Sequence, residues 1–165
     1  MLALLLISLV LVIILGFLGM RGLEYSSTAK LQHMALAQSL AEGGMEDARV
    51  KLEKDMFFPP LGGFGQTTFI FSEDVTDPTT SQVVGSYTVT VDARRRGAPF
   101  CVIRVQSVGS AGLRTNPRAR YRIYAEIDCS GEERASNTFP NPRLYRYLLW
   151  REGDVEQPNT IPLPE

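Results

Sequence analysis

The chain has 165 residues, is 44% hydrophobic and 21% charged, and carries a formal net charge of −1. That length supports one domain of ordinary size with one modest core. The slight acidity argues against a chain built mainly to hold nucleic acid, and one histidine with two distant cysteines excludes the usual zinc and C-x-x-C spacings.

MLALLLISLVLVIILGFLGM opens the chain, and no charge occurs before Arg21. Ser8, Gly16 and Gly19 are its only exceptions to apolarity. As a helix this run would span about 30 Å, the thickness of the hydrocarbon core of a bilayer. A secretory signal would show a basic n-region, a shorter apolar core and an A-x-A-like cleavage site, and none of these is present. Two readings stand. Either a leader has been removed and Met1 is the mature N-terminus, or the run is a single-pass anchor that starts at its initiator Met.

From Arg21 to Asp55 there is no proline, and the apolar period is helical: Leu31, Met34, Ala37, Ala41, Met45, Ala48 and Leu52 recur at steps of three and four. Ser39, Glu42, Glu46, Arg49 and Glu53 form the opposite, polar stripe. Asp47–Lys51 and Arg49–Glu53 are i,i+4 pairs worth a few tenths of a kcal/mol each. Gly43 and Gly44 weaken the helix by about 1 kcal/mol apiece relative to alanine, too little to break it in this context. Pro59-Pro60 and the glycines at 62, 63 and 65 end it. One helix of about 80 Å is expected from the first residue to Asp55, apolar all round in its first half and amphipathic in its second.

The rest reads as strands. Tyr87, Val89, Val91 and Ala93 alternate with Thr88, Thr90 and Asp92; Cys101, Ile103 and Val105 with Val102, Arg104 and Gln106; Tyr121, Ile123, Ala125, Ile127 and Cys129 with Arg120, Arg122, Tyr124, Glu126 and Asp128. Period two with one apolar face marks half-buried antiparallel strands. Turns are expected at Arg94–Ala98 and over a longer Gly- and Pro-marked loop, Gly109–Arg118. Thr67–Ser72 is a further strand, and Leu144–Arg151 a strand or a short helix. A sheet with one apolar face needs a cover, and the small stripe Ala37, Ala41, Gly44 and Ala48 suits a close approach. The expected fold class is α+β: a long N-terminal helix whose second half packs on an antiparallel sheet. Residues 1–25 form a membrane or filament-core helix, 26–151 a globular domain that includes the half-helix 26–55, and 152–165 an extended, proline-rich tail.

At this point the sequence resembles type IV pilins and their relatives, the minor pilins and the type II secretion pseudopilins. The resemblance rests on Met1–Asp55, with LAQSLAEGGMEDARVKLEKD similar to the segment that follows the apolar helix in minor pilins. YTVTV, CVIRVQSVGSAG and ARYRIYAEI look like the strand meander of that group. The resemblance implies a pilin-like fold and a leader cut by a prepilin peptidase, with methylation of the new amine at Met1. It further implies residence in a bacterial inner membrane, then extraction by an assembly platform into an extracellular or periplasmic filament of other pilin subunits. The assembly helix would include Leu5, Val12, Gly16, Gly19 and Gly22, the glycines falling where pilins often unwind within a filament. Pilins usually carry Glu at the fifth mature residue; counted from Met1 that residue is Leu5, a departure that suits a minor or tip subunit. The alternatives are a secretion pseudopilin and a non-polymerising single-pass receptor.

No catalytic constellation is present: no P-loop, H-E-x-x-H or G-x-S-x-G pattern occurs, GGFG at 62–65 lacks a strand before and a helix after it, and no cofactor is implied. His33 reads as a solvated helix position. Arg94, Arg95, Arg96, Arg104, Arg120 and Arg122, together with Arg114 and Arg118, form a basic cluster between Ala93 and Ala125 that contains no acid. Guanidinium groups suit phosphate, so a nucleic-acid patch is one reading and a solvated sheet face the other. Finally, pairing Ile103 with Ile127 and Val105 with Ala125 sets Cys101 opposite Cys129. A disulfide is expected there, worth about 3–4 kcal/mol in the chain-entropy model; the alternative is two buried thiols.

Overall fold

The computed structural model describes residues 2–55, 58, 67–132, 140–142 and 144–154; the side chains of residues 2–6, 8, 23 and 154 lie outside that description. Met1, the proline and glycine stop at 59–65 and the tail 155–165 also fall outside it. The fold is α+β. One helix, α1 (Leu2–Lys54), is followed by β1 (Thr68–Thr76), β2 (Val83–Asp92), β3 (Val102–Leu113), β4 (Asn116–Asp128) and β5 (Tyr147–Asp154). The strands form one antiparallel meander in the order β1-β2-β3-β4-β5.

The core is the meeting of two periodicities. Ala37, Ala41, Met45, Ala48 and Leu52 lie on one stripe of α1 and are at most 1% exposed. Val89 and Val91, Ile103 and Val105, and Ile123, Ala125 and Ile127 supply the sheet face against them. Small residues on both sides let backbone approach backbone. A Cβ on Gly109 would collide with the Ala37 carbonyl and the Ala41 amide, and one on Gly44 would come within 2.6 Å of Ser107 Oγ and 2.8 Å of the Tyr87 ring. These contacts also set direction. Ala37 sits over Gly109 and Gly44 over Ser107, so α1 descends β3 from its C-terminal end towards its start.

Two polar clips flank this seam. On one side Lys51 bridges Asp47 (2.6 Å) and Glu73 (2.8 Å), and the Tyr87 hydroxyl donates to Glu73 (2.9 Å) and Asp47 (3.2 Å). On the other the Tyr147 hydroxyl donates to Glu46 (2.8 Å), which also holds Arg49. Glu46 and Asp47, neighbours in sequence, thus reach the two opposite borders of the sheet. Burial, and then the bond to Glu73, push the Tyr87 phenol upward; burial and Glu46 do the same to Tyr147. Both hydroxyls therefore stay protonated donors.

Several expectations need correction. Gly109–Arg118 is not a loop: β3 runs on to Leu113, a two-residue turn at Arg114–Thr115 follows, and β4 starts at Asn116. Gly109 is there because the helix leaves no room for a side chain, and Gly112, at φ 89°, sits at a register shift that bends the hairpin. Of Leu144–Arg151, the strand or short helix expected, residues 147–151 belong to a strand, β5, which extends to Asp154 and takes the first three residues of the expected tail, while 144–146 form a turn before it. The first strand runs on from Ser72 to Thr76. Leu31 belongs to the apolar stripe in sequence but is 71% exposed, because the sheet ends before that turn of the helix.

Candidate functional site

The feature that most demands a function is the first half of α1. Every large apolar side chain from Ile7 to Met20 that the structure describes is between 51% and 69% exposed. Burying one such side chain is worth roughly 1.5–3 kcal/mol. Leaving the whole set in water forgoes about as much free energy as an entire domain's stability, ~5–15 kcal/mol. The segment is long and apolar enough to cross a membrane, and none of it is buried within the chain. Its backbone is satisfied internally, so it can lie in lipid or among like helices without leaving a polar group bare.

Arg21 marks the end of the apolar run. Its guanidinium lies 5.1 Å from the Phe17 ring centroid and 3.1 Å from Glu24. From there to Gln32 the helix is exposed on all described sides, a free stalk of about 18 Å. Ser27 and Thr28 both donate to the Glu24 carbonyl, at 3.0 and 2.9 Å. Val12 is 66% exposed, and Gly16, Gly19 and Gly22 face open space. The Leu5 side chain and Met1 lie outside the described residues. Where α1 meets the sheet, His33 is not solvated but half-buried, with Arg118 Nη1 at 3.3 Å from its Nε2. The two border a groove of about 430 Å³ with Leu36, Val83, Val84 and Leu113. Sequence reasoning missed this pairing because it joins residues on different elements.

Of the arginines in the basic cluster, Arg104, Arg120 and Arg122 share the sheet face away from the helix by register, and Arg94, Arg95 and Arg96 lie in the turn after β2. Register places Asp92, Arg104 and Glu126 in one cross-strand row on the face away from the helix, and Arg104 is 4% exposed with Glu126 at 3.3 Å. Arg94 grips both oxygens of Asp92, Nε donating to Oδ1 at 3.1 Å and Nη2 to Oδ2 at 2.8 Å. Burial pushes the Asp92 carboxyl up, but these bonds outweigh it and hold the group below its ordinary range. Arg96 donates to the Phe58 carbonyl at 3.1 Å, and Arg95 lies 5.2 Å from the centre of the Phe100 ring. Arg120 and Arg122 stand further along β4, next to Ser110 and Val108 of β3. Burial and then the bond to Glu126 push the Tyr124 phenol in the same face up to about 12. The row is thus a charge-balanced structural array in its centre.

The predicted pairing of Ile103 with Ile127 and of Val105 with Ala125 is present. Cys101, however, lies just outside β3 with φ 48°, and the Cys129 thiol donates to the Arg96 carbonyl at 3.7 Å. Among the described residues no group of three His, Cys, Asp or Glu side chains is placed to hold a metal ion. No protein-family model, no curated protein and no solved structure matches this chain.

Proposed function

We propose that this chain is a structural subunit of a type IV pilus or related filament, held in a bilayer by its apolar helix and then assembled with other subunits through the same helix. The observation that carries the reading is continuity. One unbroken helix supplies an unpartnered apolar half and the cover of the domain's core, with no linker between the two. A plain anchor has no need to couple the membrane segment rigidly to the sheet. A subunit that must leave lipid and place its domain at a set angle in an assembly does. Exchange of lipid for neighbouring helices is nearly neutral, since both environments are apolar.

Val12→Asp tests this. A carboxylate at the centre of the span costs about 2.5–3.5 kcal/mol in lipid and should prevent incorporation into filaments while the domain keeps its melting temperature. Normal filament incorporation of that variant overturns the proposal. So does a full-length protein that stays monomeric in the membrane under saturating cross-linking within the span.

A further inference from the structure

The groove where α1 leaves the sheet has walls from both layers. Its apolar part is aliphatic: Leu36 from the helix, Val83 and Val84 from the start of β2, and Leu113 from the end of β3. Its polar rim is His33, Asn116 and Arg118. The volume, about 430 Å³, lies within the range of small-molecule sites, ~300–1,000 Å³. The local sequence opens it. Gly112, at the register shift, bends the hairpin and lacks the side chain that would stand against Arg118. Leu113 is 61% and Val83 40% exposed, so the walls keep apolar surface in water that a bound chain would cover.

The charge of the groove is unbalanced. Arginine has no acceptor, so the 3.3 Å contact of Arg118 Nη1 with His33 Nε2 is a bond donated by Arg118 to a neutral imidazole. The imidazole steadies the guanidinium without neutralising it. Among the described residues no carboxylate lies in ion-pair range of Arg118, and Asp74, which reaches the same hairpin, is taken by Arg114 at 3.1 Å. A positive fork at one end of an aliphatic trough complements a carboxylate on an aliphatic chain. The other N–H groups of Arg118 and the Asn116 amide can serve both carboxylate oxygens. A bare phosphate would satisfy the fork and leave the walls in water, and an aromatic acid would find no ring to stack on among these lining residues.

We propose that this groove binds an unbranched aliphatic carboxylate of medium length. The carboxylate sits on Arg118 and Asn116, and the chain covers Leu36, Val83 and Leu113. The site stands beyond the exposed stalk, about 18 Å of helix from Arg21, so its ligand arrives through water. This inference does not depend on filament assembly.

The test uses the full-length protein in phospholipid nanodiscs, with carbon-13 in its leucine and valine methyls, titrated with sodium octanoate at neutral pH. Octanoate should move the Leu36, Val83 and Leu113 resonances along one saturable curve and leave those of the core residues Val89 and Val105 in place. Octanol and octylammonium have the same chain without the carboxylate, and each should require roughly ten times the concentration or more, the loss expected for a bond to a charged group. Acetate, which has no chain to bury, should move none of these signals. Arg118→Gln should weaken octanoate by about tenfold and leave the melting temperature of the domain unchanged. Shifts that never saturate, equal shifts with octanol, or an unchanged affinity in Arg118→Gln overturn the proposal. So do shifts at these methyls that follow the number of subunits per disc and ignore octanoate, which would give the groove to a second copy. The comparison of octanoate with octanol on wild type decides the matter even if the variant does not fold.

Discussion

The two halves of α1 share one backbone and one rise per residue but nothing else. From Ile7 to Gln32 no described residue is buried, whereas from Ala37 to Leu52 every third or fourth residue is at most 1% exposed. Glycine shows the contrast most sharply. Gly16, Gly19 and Gly22 have nothing within 4 Å of where a Cβ would stand, while Gly44, and Gly109 on the strand beneath, have no room for one. In the first half glycine keeps the helix surface low and the backbone pliable. In the second it sets how closely helix and sheet approach. The same residue type thus answers to its surroundings, and among the described residues nothing covers the first half.

The largest expected effect attacks the first half alone. Val12→Asp should remove assembly and leave the melting temperature of the domain within error; a variant that unfolds the domain would erase the division between halves. Next comes the seam. Gly109→Val forces β3 and α1 apart and should cost about 2–3 kcal/mol, and Ala48→Phe about 1–3 kcal/mol, through overpacking, both read from chemical denaturation. Gly16→Val, by contrast, should leave the stability of the domain unchanged. If Gly109→Val melts like its parent, the helix does not rest where its contacts put it.

A smaller effect belongs to the clips. The bond from Lys51, and then the one from Tyr87, hold the Glu73 carboxyl below its ordinary value of 4.5. A group depressed on folding adds stability above its unfolded pKa and loses it as pH falls through the folded one. Glu73→Gln should therefore cost under about 1 kcal/mol at neutral pH, as expected for a half-exposed pair. That difference should shrink steadily below pH 4.5. Lys51 runs the other way: burial lowers it, but Asp47 and Glu73 outweigh burial and raise it above 10.5. Its contribution is present below that value and fades as pH climbs past the raised pKa. A difference between wild type and Glu73→Gln that stays flat from pH 7 to about pH 3 would remove the clip from the account. The smallest expected effect is none at all. Deleting residues 1–28 should leave a folded domain with unchanged melting, since the first fully buried residue among those described is Ala37.

Much of this architecture was legible because it depends on short-range periodicity. A step of three or four put Ala37, Ala41, Met45, Ala48 and Leu52 on one stripe, and a step of two put Val89, Val91, Ile103, Val105, Ile123 and Ile127 on one face. Matching those faces sufficed for the register of β3 with β4, since a slip of one residue would turn every apolar side chain outward. Gly109 misled for the opposite reason. Locally, glycine is a turn residue, and only the helix lying on it reveals a close approach. Charge pairing was hidden in the same way: only register sets Arg104, one of eight basic residues in a stretch without acids, between Asp92 and Glu126.

The sequence by itself therefore determined the long helix, its division into an all-apolar and an amphipathic half, the antiparallel strands and the pairing of Ile103 with Ile127 and of Val105 with Ala125. All of these follow from the repeat of apolar side chains along the backbone, a property each segment carries alone. Only the tertiary structure decided where the sheet stops supporting the helix, which glycines are contact points, how Glu46 and Asp47 clip opposite borders, and which charges cancel. Those depend on distances between segments far apart in the chain, which close packing sets and no local pattern contains.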